Sequence, residues 1–321
     1  MAKFAWMCAL DARQPEALVD EAVLAEEAGF DAVVAPDPFH PWVDEDSAAG
    51  FVWSWLGAVA ARTSRIELIT TVTAPLFRYH PAVIAQAAAT MDRLSGGRFV
   101  LGVGTGDPIH DAPLGFGHAG YRERAARLRE AVHVIRELWT GRPVTFQGKW
   151  YRLDRARLSS PPVHGVRLWM AAGGPASAAM AGEVADGIVT SVKEHAATMA
   201  NVIDPFRASG RGGTVLATRW CVLAGDDDEA WRALGPIRGL RVPGRERAVD
   251  PAELRSRADA MPRDEILDRF SRARVIDDLV GVYAPLLQTI GADYVSIQIA
   301  TTGPADAISA IGSRVLPELR R

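Results

Sequence analysis

VVAPDPFHPW, residues 33–42, is a short aliphatic run that stops abruptly and is followed by Asp37, Phe39, His40 and Trp42 set among Pro36, Pro38 and Pro41. A four-residue run from 32 to 35, apolar at every position, reads as a strand covered on both faces. The loop after it is stiff, because each proline fixes φ near −65°. Side chains held this way lose little conformational entropy when a ligand binds.

The pattern recurs along the chain. Candidate strands fall at residues 3–9, 32–35, 66–72, 98–103, 167–171, 187–190, 214–223 and 294–299. Amphipathic segments separate them. In YRERAARLREAVHVIRELW, Ala125, Leu128, Val132, Ile135 and Trp139 recur at steps of three and four while Arg and Glu fill the other face. Eight apolar strands alternating with helices predict parallel βαβ units. The length fits a (β/α)8 TIM barrel of about 250 residues with insertions. The reading is therefore one barrel domain over 1–321, with insertions near 141–162 and 225–262. In such a barrel the active site forms from loops at the carboxyl ends of the strands. Asp37 through Trp42 belong to that rim.

Composition narrows the function. A 321-residue chain with 48% hydrophobic and 23% charged residues has an ordinary globular balance. The net charge of −3 argues against nucleic acid as a partner, because phosphate-tracking proteins carry a basic excess. No apolar run approaches the roughly 18 residues of a membrane helix. The N-terminus reads as a first strand and not as a signal peptide, so the expected location is cytoplasmic and the expected partner a small molecule. Cys8 and Cys221 lie in apolar runs and read as small buried hydrophobes, with no disulfide framework or metal cluster.

Two stretches carry chemistry. In GRFVLGVGTGDPIHD, residues 97–111, the glycines are followed by Asp107 and Pro108 and not by a helix start, which argues against a dinucleotide-binding turn. Gly102, Gly104 and Gly106 are expected to let backbone approach a flat cofactor, with Asp107 and His110 presented at the mouth. In AAGGPASAAM, residues 171–180, a helix is expected to start at Pro175. Its free amides fit either an anion site or a plain tight turn. Trp53 and Trp55 read as core, His80 as a helix cap or packing residue, and His133 as solvated; His118, His164 and His195 carry no assigned role.

TTVTAPLFRYHPAVIAQAAATMDRLSGGRFVLGVGTGD, residues 70–107, with DPFHPW before it and AAGGPASA after it, resembles the bacterial-luciferase-like oxidoreductase superfamily. Within it the chain is most similar to the branch that uses the deazaflavin coenzyme F420, in particular the F420-dependent glucose-6-phosphate dehydrogenases. The resemblance implies a deazaflavin bed made by Asp37, Thr105, Gly106, Gly173, Gly174, Ala176 and Ser177. It implies a bulge at Thr71 and Val72 with a non-proline cis peptide. Trp42 would stack near the ring, and Thr190, Lys193, Arg245 and Arg269 would grip a sugar phosphate. It also implies a homodimer.

The departures matter as much. Pro38 stands where the sugar-phosphate dehydrogenases carry a catalytic His, and proline moves no proton. Asp107 replaces a family Glu, and His110 a family Asn. Asp107, His40 and His110 are therefore the candidate proton-transfer residues, His because it titrates near neutrality. The expected activity is F420-dependent hydride transfer to or from a polar, phosphorylated or otherwise anionic substrate. Three alternatives stay open: an F420H2-dependent reductase of a carbonyl, imine or activated double bond; an FMN-dependent monooxygenase; and an idle cofactor-binding protein.

Overall fold

A computed structural model describes residues 1–117, 119–210 and 212–321; His118 lies outside them. Among the described residues eleven strands form: β1 (Lys3–Met7), β2 (Ala32–Ala35), β3 (Glu67–Thr70), β4 (Phe99–Val103), β5 (Val144–Gln147), β6 (Arg152–Ala156), β7 (Arg167–Ala171), β8 (Gly187–Ser191), β9 (Thr214–Leu223), β10 (Ser271–Ala273) and β11 (Tyr294–Ala300). Eight of them pair in the parallel order β11-β1-β2-β3-β4-β7-β8-β9. Pairing of β9 with β11, from Tyr294 opposite Leu216 to Ala300 opposite Val222, closes the ring. All eight expected barrel strands are present. The expected third strand is shorter, ending at Thr70, and the Thr71–Val72 peptide bond beyond it is cis, as the resemblance implied.

Strand alternation divides the core into two layers. Phe4, Trp6, Val33, Leu68, Phe99, Leu101 and Ile297 face outward and pack with Leu18, Val59, Ile84 and Leu128 of the surrounding helices. Ala5, Val34, Ile69, Val100, Trp169, Leu216 and Tyr294 belong to a second cluster inside the ring. Gly187 is required beside Trp169, because a Cβ there would stand 2.8 Å from the indole Cδ1. Cys8 and Cys221 are buried and free, and Trp55 is buried while Trp53 is half-buried against Phe99. His80 caps the helix Pro81–Ser95, its Nδ1 accepting from the Ala82 amide at 3.2 Å.

The insertion at 141–162 holds the antiparallel hairpin of β5 and β6. The excursion after β9 is a packed cover. Its helices Asp227–Leu234 and Pro251–Asp259 and the 3-10 segment Gly235–Arg241 between them place Leu234, Leu254 and Ile237 in the interior cluster with Trp42 and Ile109. It ends in β10, a short strand beside β9 that the strand pattern did not reveal.

At the opposite end of the ring, Glu26 ties the first helix, Pro15–Glu27, to the turn before β3. Its carboxylate accepts from the amides of Ser64 at 3.1 Å and of Arg65 and Ile66 at 2.7 Å. Burial pushes its pKa up, but those amides outweigh it and hold the carboxyl below its ordinary value. A depressed carboxylate contributes stability above its unfolded pKa and loses it as pH falls through the folded one. Glu26→Gln is expected to cost about 1–2 kcal/mol at pH 7. Urea unfolding should show the deficit shrinking by pH 3.5; an equal deficit at both values would contradict the assignment.

Candidate functional site

The carboxyl ends of β2, β3, β4, β7 and β8 open into one cleft of about 920 Å³, roofed by Leu240, Arg241 and Arg245 of the cover. The proline-stiffened loop after β2 forms one wall. Asp37 has no accessible side-chain surface, and Arg78 bonds both its Oδ1, at 2.6 Å, and its carbonyl, at 2.8 Å. Thr73 and Tyr79 hydroxyls donate to the same carboxylate at 2.9 and 3.0 Å. Burial raises the Asp37 pKa, and Arg78, Thr73 and Tyr79 oppose it. Asp37 thus joins the loops after β2 and β3, with most of its acceptor capacity taken by the chain itself. Trp42 is fixed from the first strand's loop: its indole N–H donates to Asp11 at 2.7 Å.

The glycines after β4 play a different part from the one expected. A Cβ on Gly102 would stand 2.0 Å from the Thr70 carbonyl oxygen, and one on Gly104 would stand 2.5 Å from a Val72 methyl. These two make room for the end of β3, and Gly104 lines the cleft as well. Gly106 has φ near +73°, which only glycine adopts freely. Arg124 clamps this turn, donating to the carbonyls of Gly106 at 2.6 Å and Thr105 at 3.1 Å.

His110 lines the cleft with its ring edge-on to Trp42 at 5.8 Å. Its Nδ1 accepts the Phe39 amide at 3.2 Å, so in the neutral ring Nε2 carries the hydrogen. Burial pushes its pKa down to about 4 against the opposing pull of Asp107. Asp107 faces Arg245 at 3.7 Å, and the Arg245 guanidinium lies 4.9 Å over the Trp42 ring.

His40 is not in this group. Its ring stacks on Phe39 and faces a separate recess lined by Ala112, Pro113, Val249 and Asp250. With the Phe39 amide tied to His110 and Trp42 tied to Asp11, the intervening His40 is left on the outer side of the loop.

Thr190 and Lys193 line the cleft with Arg245. Arg269 does not; it bonds Glu265 at 2.7 Å and the Arg241 carbonyl at 3.3 Å. Arg241 takes the place expected for it. Burial and the neighbouring Arg245 and Arg219 push Arg241 down to about 10. Lys193 is lowered by burial and by Arg241, Arg245 and Arg269. At the β7 end, Ser177 Oγ accepts from the amides of Gly173 and Gly174, both at 3.2 Å. The helix Pro175–Val184 starts where expected, and Ser177 in its first turn ties back the amides of the two glycines that precede it.

The profile of the family described as luciferase-like monooxygenase matches residues 3–282. The chain belongs to that family. The F420-dependent glucose-6-phosphate dehydrogenase of Nakamurella multipartita is 34% identical over 99% of this chain and 96% of its own length. The enzyme of the same name from Nocardia farcinica is 39% identical over 85% of each. Among solved structures, an F420-dependent secondary alcohol dehydrogenase in complex with an F420–acetone adduct superposes with a TM-score of 0.92. It shares 27% identity and covers 100% of this chain and 99% of that one.

In this luciferase-like barrel, several residues that build the cleft escaped sequence reasoning. Arg78 stood in the motif FRYH, and an arginine just past a strand end was the available signal. Asp11, Asp111, Arg124 and Arg241 had none, since each acts through a partner distant in sequence. Among the described residues, no cluster of three or more His, Cys, Asp or Glu side chains could hold a metal, and no helix is long and apolar enough to cross a membrane.

Proposed function

We propose that this luciferase-like protein transfers hydride between F420 and a small anionic carbonyl compound or the matching alcohol, with the site built for the carbonyl-reducing direction. The protein is an oxidoreductase and its cofactor is F420. One observation carries the finer reading: a neutral imidazole N–H shares a cleft with two guanidiniums whose Arg241 Nε and Arg245 Nη1 are buried without hydrogen-bond partners among the described residues. Leaving a buried polar group unpaired costs about 1–3 kcal/mol, so such groups point to a ligand of matching charge.

The other side of the cleft fits a planar, oxygen-bearing group. Thr71 Oγ1 is likewise buried and unpartnered among the described residues. A Cβ on Gly173 or Gly174 would meet nothing within 4 Å, so the space beside them is free for a flat ring. Thr71, Val72, Thr105, Gly106, Gly173, Gly174, Ala176 and Ser177 would hold the cofactor, with Asp37 anchoring the wall. When bound, F420 supplies the two-electron hydride chemistry, and the chain supplies orientation and electrostatics.

The chain's own contributions follow from the geometry. His110, neutral across physiological pH and donor at Nε2, hydrogen-bonds the substrate oxygen and stabilises the negative charge that grows there on reduction. It is a poor general base, because its Nδ1 lone pair is already in use. Asp107, facing Arg245, is the carboxylate beside His110 at the mouth of the cleft. Lys193, Arg241 and Arg245 bind the anionic part of the substrate by charge-assisted hydrogen bonds. Trp42 walls the site.

Fluorescence titration with F420 in parallel with FMN tests the cofactor assignment. Saturable F420 binding at micromolar concentration and at least tenfold preference over FMN are expected. Tight FMN binding with none for F420 would reverse it in favour of oxygen-activating chemistry.

A further inference from the structure

Asp111 takes no part in the scheme above, yet it is among the most unusual groups in the cleft. It closes the short helix Pro108–Asp111 and lines the cavity, but is only 3% exposed. Its Oδ2 has no hydrogen-bond partner among the described residues. The same atom stands 3.0 Å from where a Cβ on Gly106 would be, directly against the turn assigned to the cofactor.

The charged groups around it come from four elements, and none satisfies it. Arg78, from the loop after β3, gives its hydrogen bonds to Asp37. Arg124, from the helix Tyr121–Trp139, gives its own to the carbonyls of Ala119, Thr105 and Gly106. Asp37 and Asp107 repel a second negative charge, while Arg245, which faces Asp107, belongs to the cover. His110, its neighbour in the same helix, is uncharged above about pH 4. Burial first, with those two carboxylates adding to it and Arg78 and Arg124 opposing, pushes Asp111 up to about 6. A carboxyl that takes up its proton as pH falls to about 6 then has a donor to place, and no acceptor within the described residues takes it from Oδ2.

We propose that Asp111 is a cofactor-positioning residue that donates a hydrogen bond from its protonated carboxyl to an oxygen of F420, so that cofactor binding is linked to proton uptake at this side chain. The proposal rests on the F420 assignment made above. The proton enters from solvent and stays on the carboxyl; no bond of the cofactor is made or broken.

The sign of the linkage is fixed. If the bound state retains the proton, affinity rises as pH falls toward the free-protein value and levels off below it. For wild type, the F420 dissociation constant is expected to fall by roughly fiftyfold between pH 8 and pH 6 and by no more than about twofold from 6 to 5, since an ideal single-proton linkage approaches tenfold per pH unit above the free-protein value and levels off below it. Asp111→Asn, whose carboxamide donates at every pH, should bind with nearly the wild-type pH 6 constant throughout. Asp111→Leu should bind at least tenfold more weakly than wild type at pH 6 and lose the pH dependence. Any titration of the cofactor itself appears equally in wild type and Asp111→Asn, so the difference between their slopes isolates Asp111. Parallel slopes for those two proteins would overturn the proposal, as would wild-type affinity at pH 6 in a folded Asp111→Leu. F420 binding by none of the three proteins at any pH would overturn the cofactor assignment and this proposal with it. F420 binding that is tight but has the same pH slope in all three would overturn this proposal alone.

Discussion

His110→Ala is expected to lower kcat by about 10²- to 10³-fold while leaving the F420 dissociation constant within about threefold of wild type. The magnitude is that of removing one preorganised donor aimed at a developing oxyanion. Preorganisation here is visible in two contacts: the Phe39 amide holds Nδ1, and Trp42 meets the ring edge-on. Together they fix which nitrogen carries the hydrogen and how the ring lies. His110→Gln, which keeps a donor on a longer chain, should recover part of the loss.

The pH profile separates this role from general acid–base catalysis. A group pushed down to about 4 by burial does not titrate between pH 5 and 8. Any bend in kcat over that range must come from elsewhere and should survive in His110→Ala. A bend near 6.5 that disappears with the imidazole would show that His110 exchanges a proton, and the carbonyl-polarising role would have to be abandoned. The same depressed pKa makes a stability statement. The folded protein prefers the neutral ring, so the contribution of this site is present above the unfolded pKa and is lost as pH falls through about 6.5 toward 4.

What the amino-acid pattern reveals here, and what it hides, has a physical division. The eight strands are legible because a parallel strand buried on both faces must be apolar at every position, as AVVA at 32–35 and the interior and exterior layers show. The rim loops are legible because strand ends in a barrel converge on one mouth. Side-chain direction within a loop is not. His40 and Trp42 are two residues apart, yet one faces an outer recess and the other the cleft, because the choice is made by Asp11 and His110, which lie 31 and 71 residues from their partners Trp42 and Phe39. The exchange of Arg241 for Arg269 has the same origin: just past the helix Arg263–Leu267, Arg269 turns back to Glu265 four residues earlier, and Arg241 is left over the cleft. Glycine spacing tells only part of the story for a related reason. Gly102 and Gly104 answer to the backbone and side chain at the end of β3, a neighbour in space that no local reading contains.

The wall that carries these loops depends most on one pair, and Arg78→Met is expected to destabilise the fold by about 3–5 kcal/mol. Asp37 has no accessible side-chain surface and Arg78 little, so removing the guanidinium leaves a carboxylate that water cannot reach. Thr73 and Tyr79 still donate to it, but neutral donors do not replace a cation. The Arg78 guanidinium also lies 4.6 Å over the Tyr79 ring, and the substitution removes that cation–π attraction as well. Burial already raises the Asp37 pKa with Arg78 in place, and in the variant the largest opposing influence is gone, so it must rise further. A raised carboxyl contributes most below its unfolded pKa and loses that contribution as pH rises through the folded value. The variant's deficit should therefore be largest at pH 8 and shrink toward pH 5, the same direction as for Glu26→Gln but for a different reason: there a favourable charge is lost, here an uncompensated one is left behind. Asp37→Asn on the Arg78→Met background should recover a large part of the loss, because the uncompensated charge dominates it and the attraction to the Tyr79 ring is the smaller part. Urea unfolding of the four proteins of this cycle at both pH values measures each quantity. A deficit below about 1 kcal/mol, or one that grows as pH falls, would mean that the ion pair does not hold the loops after β2 and β3 together, and the cleft wall must owe its shape to the packing of Trp42 and the cover instead.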